Sequence, residues 1–241
     1  MHDASAPAAW NMAVDDAILE SVAAGGLPCL RFFGWTPPAL SLGYFQKYAL
    51  RSEHTSSSAL PVVRRTTGGG AIVHDQELTY SLAVSSKTRF SRAGTQLVAN
   101  VHQALTRALA QWNIAVTLHG PLPSNGPRDK SFLCFQRRAA EDVVLAEHKI
   151  CGSALRQRRC ATLLHGSVLV GASRYAAELP GINDLAGRPV VGVDLREAWT
   201  QELATALELS LEHDALTAGE QQRARQLESR RYATEAWTQK R

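Results

Sequence analysis

The chain of 241 residues lacks several features that mark secreted, metal-binding and membrane proteins. It has four cysteines and no CxxC pair, which argues against both a disulfide scaffold and a structural zinc site. No run of about 18 apolar residues, the length that spans a bilayer, is present. The N-terminal stretch does not show the basic and then apolar order of a secretory signal. We therefore expect a cytoplasmic protein with reduced thiols, no metal site and no membrane partner.

The two best-known glycine motifs for binding phosphate, GxxxxGKS/T and GxGxxG, are also missing. The sequence has instead RRTTGGGAIVHD at residues 64–75, in which three consecutive glycines follow two arginines and two threonines. Glycine loses more backbone entropy on folding than any other residue. The run therefore indicates a loop on which a ligand lies against bare main chain. The alternative is a glycine-rich bulge that a tight fold requires.

Hydrophobic periodicity predicts one α+β domain over residues 1–241. Amphipathic helices are predicted in AWNMAVDDAILESVAAGG and GTQLVANVHQALTRALAQWN. Strands are predicted on either side of the Thr-Pro-Pro turn in CLRFFGWTPPALSLGYFQ, in the half-buried segment LTYSLAV, and in the hairpin-like pair DVVLAEHKICGSAL and ATLLHGSVLV. GPLPSNGPRDK (120–130) is predicted to be a loop. The chain is predicted to be helical from about residue 196, with a capping box formed by Thr217 and Glu220.

The net charge of +4 is concentrated in one part of the chain. Residues 128–159 contain four acidic residues and eight basic ones, so this segment alone accounts for the whole surplus. Such a segment is either a solvated face or a patch that steers acidic partners, for example nucleic acid, a small acidic protein or a phosphorylated carrier. The basic residues are Arg128, Lys130, Arg137, Arg138, Lys149, Arg156, Arg158 and Arg159.

The segment RRTTGGGAIVHDQELTYSL resembles the signature of the biotin/lipoate protein ligase and lipoyl-transferase superfamily. HKICGSALRQRRCATLLHGSVLV (148–170) resembles that family's Lys-Ile-x-Gly-Ser-Ala segment and the His-Gly strand after it. NMAVDDAIL, RFFGWTPPALSLGYFQ and LTAGEQQRARQLESRRYATEAW also match, so the resemblance covers nearly the whole chain. It implies a central mixed or antiparallel sheet flanked by helices. The glycine loop is of the lipoate type rather than the biotin type.

The resemblance also implies an acyl-binding tunnel and a lysine beside it. Lys149 matches the family lysine that contacts the acyl carbonyl or the adenylate phosphate, where an ammonium stabilises developing negative charge. His165 is either a hydrogen-bonded structural group or a base for a nearby nucleophile. The residues that the resemblance assigns to acyl or substrate binding are Arg65, Gly68, Gly69, Gly70, His74, Gly152, Ser153, Ala154, His165 and Gly166.

Three features favour a transferase that uses a cysteine nucleophile. Cys134 lies in LCF upstream of Lys149, as does the nucleophile of the octanoyltransferases of the Gram-positive type, and we expect Lys149 to favour its thiolate. Glu77-Leu78 stands where many ATP-dependent lipoate ligases have Gly-Asn. The chain up to residue 241 also contains no counterpart of the accessory C-terminal domain common in those ligases.

Other features favour an ATP-dependent ligase. Gly70 matches the ligases, whereas the octanoyltransferases often carry arginine there, and QRRAAED after Cys134 departs from their pattern. The alternative is therefore a lipoate–protein ligase that uses ATP and Mg to form a lipoyl-adenylate, with or without a separate accessory chain. A third hypothesis is a non-catalytic acyl-binding module whose function is the basic segment. Cys151 is expected at the tunnel wall, and Cys29 and Cys160 are expected to be packing residues.

The leading hypothesis is an acyltransferase that needs no cofactor. Cys134 takes an octanoyl or lipoyl group from the thioester of an acyl carrier protein. The acyl group then passes to a lysine of a lipoyl domain or of a glycine-cleavage H-type protein. Lys149 polarises the carbonyl. Nucleic acid and membranes are not expected partners.

Overall fold

The computed structural model describes residues 1–87, 94–121 and 130–241. Most of the predicted loop at 120–130, with Arg128, lies outside these ranges. The helices are α1 (Ala8–Ala23), α2 (Gly94–Ala110), α3 (Ile182–Leu185), α4 (Gly192–Leu207), α5 (Ala218–Leu227) and α6 (Glu235–Thr238). The strands are β1 (Cys29–Phe33), β2 (Ala39–Leu42), β3 (Val62–Arg64), β4 (Ile72–His74), β5 (Glu77–Ser85), β6 (Thr117–Leu118), β7 (Val143–Leu145), β8 (His148–Gln157) and β9 (Ala161–Leu169).

Two sheets form the centre of the fold. The larger has the order β1-β5-β9-β8-β7-β6, and every neighbouring pair in it is antiparallel. The smaller has the order β3-β2-β4, with β2 parallel to β3 and antiparallel to β4. The predicted α+β class with a mixed or antiparallel sheet is thus confirmed. The two strands predicted around the Thr-Pro-Pro turn both form, and the turn carries the chain from the large sheet to the small one.

Strand β5 is buried on both faces, so the prediction of a half-buried strand was wrong. Its apolar residues, including Tyr80 and Leu82, pack into the core under α2 and α4. Thr79 and Ser81 point the other way and are also buried, at 4% and 2% exposure. Helix α1 lies on that second face and excludes solvent from it.

Helix α1 is buried on nearly all sides and is not the amphipathic surface helix that the periodicity predicts. Its carboxylates Asp15 and Asp16 are buried, and burial of a charge requires a partner. The guanidinium of Arg31 lies 2.9 Å from Asp15, and those of Arg158 and Arg231 each lie 2.6 Å from Asp16. These cations come from three distant parts of the chain and join the helix to the sheet and to the C-terminal region.

Strands β8 and β9 form the predicted hairpin, but the predicted segment DVVLAEHKICGSAL holds two strands, β7 and β8, and not one. The basic segment is not one continuous solvated surface. Lys149 is buried, and Arg158 reaches across to Asp16 and Glu20 on α1. Cys160 in the turn is exposed, so the prediction that it is a packing residue was wrong, whereas the partly buried Cys29 does pack against the core cluster around α1.

The C-terminal helices pack on the two earlier helices. Helix α4 contacts α2, and α5 contacts α1. The predicted capping box forms, with the Glu220 amide donating to Thr217 Oγ1 at 3.2 Å and the Thr217 amide donating to Glu220 Oε2 at 2.9 Å. Helix α6 reaches the arginine pair, where Trp237 Nε1 donates to the Arg64 carbonyl at 2.9 Å. In the parts of the chain that the structure describes, no helix has the length and apolar character needed to cross a membrane.

Candidate active site

A cavity of about 350 Å³ lies where the triple-glycine loop, the large sheet and the Cys134 segment meet. Every residue that the sequence analysis assigned to catalysis or acyl binding lines it, although their roles stay predictions. Apolar walls are added by Met12, Ile72 and Leu155, and an aromatic one by Trp35. The predicted residues at the cavity are Arg65, Gly68, Gly69, Gly70, His74, Cys134, Lys149, Gly152, Ser153, Ala154, His165 and Gly166.

The three glycines of the loop differ in why, or whether, their positions require glycine. Gly69 has φ +94°, in the left-handed region that disfavours residues with a Cβ. A Cβ on Gly70 would lie 2.8 Å from the backbone nitrogen of Cys134, which is too close for any side chain. Gly68 is open, since a Cβ there would meet only the ring of Phe45, at 3.9 Å. Gly70, the feature shared with ligases, is thus required here by the close approach of the Cys134 backbone.

Cys134 is held against the end of the glycine loop by main-chain hydrogen bonds. The Cys134 amide donates to the Ala71 carbonyl at 2.7 Å, and the Ala71 amide donates to the Phe132 carbonyl at 2.9 Å. Cys134 begins a single 3-10 turn, Cys134–Gln136, and is half-buried at the cavity wall. The thiol is therefore both fixed in place and accessible from the cavity.

A β-bulge turns Lys149 into the cavity. Val143 pairs with Cys151 while the next residue, Val144, pairs with Lys149, so β8 has one extra residue at this point. Ile150 and Cys151 consequently both face the core, and Lys149 faces the opposite side. The prediction that Cys151 lies at the tunnel wall was wrong. Burial behind the sheet raises the pKa of the Cys151 thiol far above its ordinary value.

The Lys149 ammonium has its own counter-ion. Its Nζ lies 2.8 Å from Asp142 Oδ2, and both side chains are 4% exposed. A Cβ on Gly152 would lie 2.6 Å from Nζ, so the lysine occupies the space that this glycine leaves open. Asp142 also accepts the Ala139 amide at 2.7 Å. Lys149 and Asp142 thus form a pair without net charge, and Lys149 is not an uncompensated cation for Cys134 as we had expected.

His165 is engaged at both ring nitrogens. Its Nε2 lies 2.6 Å from Thr67 Oγ1 and its Nδ1 lies 3.4 Å from Asp15 Oδ2. Burial lowers the pKa of His165. Burial opposes ionisation of Asp15 as well, but the hydrogen bond from His165 and the charge of Arg31 together hold the pKa of Asp15 below its ordinary value. This arrangement favours the structural interpretation of His165 over that of a base.

Ser153 and Gly166 form a tight point between the cavity and the core behind the sheet. The Ser153 hydroxyl hydrogen-bonds to Tyr80 and lies 2.6 Å from His102 Nε2. A Cβ on Gly166 would lie 2.7 Å from that hydroxyl. His102 Nδ1 donates to the Glu141 carbonyl at 2.5 Å and so supports the turn that carries Asp142. His102 and Asp142 are single polar residues in a helix and a turn, and no spacing in the sequence pointed to either.

Arg65 is buried in the cavity wall. Its Nη2 donates to the carbonyls of Gly68 and Gly70, each at 2.9 Å, and its Nη1 donates to Ser41 Oγ at 2.8 Å. Within the described ranges, no carboxylate lies in contact with it. Burial lowers the pKa of Arg65 to about 10 even though Cys134 and Glu77 favour its charged form. Neighbouring Arg64 points the other way.

His74 joins Arg65 to a buried carboxylate. Its Nε2 lies 2.7 Å from Ser41 Oγ, and its Nδ1 hydrogen-bonds to Glu77 Oε1. The Trp35 ring stacks on the His74 ring with centroids 3.7 Å apart. The sequence analysis used Glu77 only as a family marker and missed Ser41. The three-residue spacing of His74 and Glu77 across the turn into β5 was the available signal.

A group of aromatic and cationic side chains begins at Phe45, whose ring lies next to Gly68 at the cavity. We define the mouth cluster as Tyr44, Phe45, Arg156, Lys240 and Arg241. Phe45 is 71% exposed. The Lys240 ammonium lies 3.6 Å from the Tyr44 ring centroid, and the Arg241 guanidinium lies 5.3 Å from that of Phe45. Arg156 approaches Tyr44 from β8, at 5.9 Å. In the described parts of the chain, no group of three His, Cys, Asp or Glu residues is arranged to hold a metal ion.

Comparison with known proteins agrees with this geometry. Residues 7–185 match the family described as lipoyl protein ligase A/B catalytic domain. The octanoyltransferase LipM of Kyrpidia tusciae is 32% identical over 267 aligned positions, which cover 98% of this chain and 96% of that protein. The octanoyltransferase LipM of Bacillus subtilis is 29% identical, with 98% and 96% covered.

A solved structure shares the fold along nearly its whole length. Protein Ta0514 of T. acidophilum, with bound lipoic acid, is 24% identical, and the superposition has a TM-score of 0.81 and covers 99% of this chain and 98% of that one. The family match and the full-length relatives confirm the resemblance noted from the motifs. The chain belongs to the lipoyl protein ligase A/B catalytic domain family.

Proposed function

We propose that this protein is an octanoyltransferase that works through an acyl-enzyme on Cys134. It takes an octanoyl group from the thioester of an acyl carrier protein and passes it to a lysine amine of a lipoyl domain. The observation that carries the proposal is that the accessible Cys134 thiol, the Lys149 ammonium and the bare glycine loop line one cavity with apolar walls. The full-length relatedness to LipM octanoyltransferases supports it.

The reaction has two acyl transfers. The Cys134 thiolate attacks the carbonyl carbon of the carrier thioester, the bond to the carrier sulfur breaks, and the departing thiolate takes a proton. The lysine amine of the acceptor then attacks the new thioester. An amide forms, the amine loses a proton, and the Cys134 sulfur leaves. In both steps the carbonyl oxygen becomes an oxyanion, which N–H donors at the cavity stabilise.

Lys149 is the donor best placed for that oxyanion. An ammonium has three N–H groups, and Asp142 accepts from only one side of it. The pair is almost fully buried, so its orientation is fixed before the substrate arrives and water does not weaken it. Met12, Ile72 and Leu155 give the octanoyl chain an apolar wall to lie on.

Both partners of the proposed reaction dock at the mouth cluster. The cluster combines an exposed aromatic ring with three cations beside the cavity, which suits an acidic protein domain. The acceptor is a lipoyl domain or a glycine-cleavage H-type protein, and the donor is an acyl carrier protein. The bipartite lipoate protein ligase of an archaeal lipoylation system from Thermoplasma acidophilum, which is described together with its E2 lipoyl domain, supports this class of acceptor (TM-score 0.78, 22% identity, covering 99% of this chain and 94% of that one).

Intact-mass measurement tests the proposal directly. The protein is mixed with octanoyl acyl carrier protein, and we expect a mass increase of one octanoyl group that hydroxylamine removes. Cys134→Ala should abolish it, whereas Cys160→Ala, which removes an exposed thiol away from the cavity, should not. A lipoyl domain modified only with lipoate, ATP and Mg, at the same rate in Cys134→Ala, would instead establish the ligase alternative.

A further inference from the structure

Arg65 is a buried cation close to the Cys134 thiol, and its hydrogen-bond partners in the described ranges are neutral oxygens. A Cβ on Gly69 would lie 3.3 Å from Arg65 Nη2 and 3.6 Å from Cys134 Sγ, so the two atoms lie within 6.9 Å of each other across this glycine (3.3 plus 3.6). Arg65 is 2% exposed, and its guanidinium contacts carbonyl and hydroxyl oxygens, with no carboxylate against it in the described ranges. A buried charge with only dipoles around it acts strongly on its neighbours because the local dielectric is low.

A relay of hydrogen bonds connects this guanidinium to a distant carboxylate. Arg65 donates to Ser41 Oγ, so the one hydroxyl hydrogen of Ser41 is left to donate to His74 Nε2. The Nδ1–H of His74 then donates to Glu77 Oε1. Every donor finds an acceptor when His74 is neutral. Glu77 Oε1 also accepts from Thr79 at 2.5 Å, while Oε2 is buried with no donor in the described ranges.

The other charges around the cavity are paired, neutral or exposed. Lys149 and Asp142 compensate each other at 2.8 Å, and Asp15 pairs with Arg31 at 2.9 Å. Burial lowers the pKa of His165, which favours its neutral form. Two further cavity cations, Arg137 and Arg138, are partly exposed, so water screens them.

We propose that Arg65, rather than Lys149, is the cation that holds Cys134 as a thiolate, and that Glu77 limits this effect through Ser41 and His74. Arg65 faces the reacting sulfur, whereas the other three act through it as positioning residues. The role of the Cys134 thiolate in acyl transfer rests on the proposed function, whereas the effect of Arg65 on the ionisation of Cys134 does not. Burial lowers the pKa of Arg65 to about 10, and the nearby Cys134 and Glu77 each oppose that lowering, in agreement with this assignment.

The test is the pH dependence of Cys134 alkylation by iodoacetamide, with the Cys134 peptide followed by mass spectrometry. Arg65→Gln should move the midpoint upward by about 1–2 pH units. Glu77→Gln keeps the shape and an acceptor for His74 but removes the opposing charge, so it should move the midpoint downward. The double variant Asp142→Asn with Lys149→Gln replaces an ion pair that has no net charge, so it should move the midpoint by less than Arg65→Gln or Glu77→Gln does. Arg138→Gln is the control for a partly exposed cation at the same cavity and should also move the midpoint by less than Arg65→Gln does.

Opposite shifts cannot come from a merely structural role. An unchanged midpoint in Arg65→Gln, with a raised one in the Asp142/Lys149 double variant, would return the role to Lys149. A midpoint that rises in both Arg65→Gln and Glu77→Gln would reject the relay. Circular dichroism checks that each variant folds. If Arg65→Gln does not fold, the direction of the midpoint shift in Glu77→Gln decides the test. Alkylation needs no acyl substrate, so a shifted profile in a protein that forms no octanoyl adduct would reject the proposed function alone.

Discussion

The backbone of Cys134 packs against Gly70 so closely that a Cβ on the glycine would lie 2.8 Å from the Cys134 nitrogen and 2.9 Å from its Cα. The two residues are far apart in the sequence, yet the position of the thiol depends on the absence of a side chain in the loop. A substitution at Gly70 therefore acts on chemistry rather than on loop flexibility.

Gly70→Ala should displace the Cys134 turn and reduce the rate of octanoyl-enzyme formation by at least about tenfold, since small misplacements of a reacting group have large effects. Gly68→Ala is the matched control because a Cβ there meets nothing closer than 3.9 Å. Rapid-quench mass spectrometry measures both rates. Equal rates in the two variants would mean that the contact does not position the thiol.

Removal of one partner from the Lys149–Asp142 pair should destabilise the fold. Lys149→Met leaves a buried carboxylate without its cation, which typically lowers the free energy of unfolding by about 3–5 kcal/mol. The double variant Asp142→Asn with Lys149→Gln keeps a neutral hydrogen-bonded pair and should recover much of the loss. Urea unfolding of the three proteins measures this, and a double variant no more stable than Lys149→Met would contradict the pairing.

The stability of the protein should fall as the pH drops below 6.5, because burial disfavours the protonated form of His165 in the folded state. Its pKa in the folded state is below the ordinary 6.5. The unfolded chain therefore binds a proton there first, and each such proton tilts the unfolding free energy by about 1.4 kcal/mol per pH unit. His165→Gln should flatten this part of the pH profile in thermal unfolding. His213→Gln, at an exposed residue, should leave the slope as it is.

A second pH effect should appear at lower pH through Asp15. Its folded pKa lies below the ordinary value of 3.8, so its contribution is present above that value and is lost as the pH falls through the folded pKa. Asp15→Asn should remove this acid-dependent loss while lowering stability at pH 7, because Arg31 loses one of its two carboxylate partners and keeps only Asp3. Acid titration followed by circular dichroism separates the two effects. A loss of the same size in Asp15→Asn would assign it to other carboxylates.

Charge reversal in the mouth cluster should weaken carrier docking. The double variant Arg156→Glu with Lys240→Glu should raise the KM for octanoyl acyl carrier protein several-fold and flatten its dependence on salt, because the change removes attraction from the encounter. The double variant Arg225→Glu with Arg230→Glu, at two exposed arginines outside the cluster, is the control for net charge. Steady-state kinetics at two salt concentrations measure the effect. Equal responses of the two variants would remove the cluster from the proposal.

Local patterns in the sequence predicted most of the elements and much of the site. The glycine run, Cys134 and Lys149 could be identified because a motif or a family resemblance surrounds each of them. Ser41, Asp142 and His102 could not, because each is a single polar residue whose importance arises from a partner elsewhere in the chain. Alternation predicted the faces of β5 correctly, but it could not show that α1 with its buried carboxylates covers the polar one.

The β-bulge explains the wrong prediction for Cys151. Two residues after Lys149, a regular strand would put both side chains on the same face. The extra residue opposite the Val143–Val144 step reverses this, so Lys149 reaches the cavity while Cys151 faces the core. Nothing in the letters HKIC marks that insertion, since it depends on how β7 pairs with β8.

Arg64 links helix α6, near residue 241, to the strand end beside the cavity. Its guanidinium donates to the Thr238 carbonyl at 2.7 and 2.9 Å, across 174 positions, while the next side chain, that of Arg65, enters the cavity wall. The consecutive residues Arg64 and Arg65 thus contact different parts of the fold: Arg64 contacts α6, and Arg65 forms part of the cavity wall. Helix α6 therefore supports the strand end that precedes the glycine loop. Substitutions that displace α6 would increase the mobility of the cavity wall, although no residue of α6 lines the cavity.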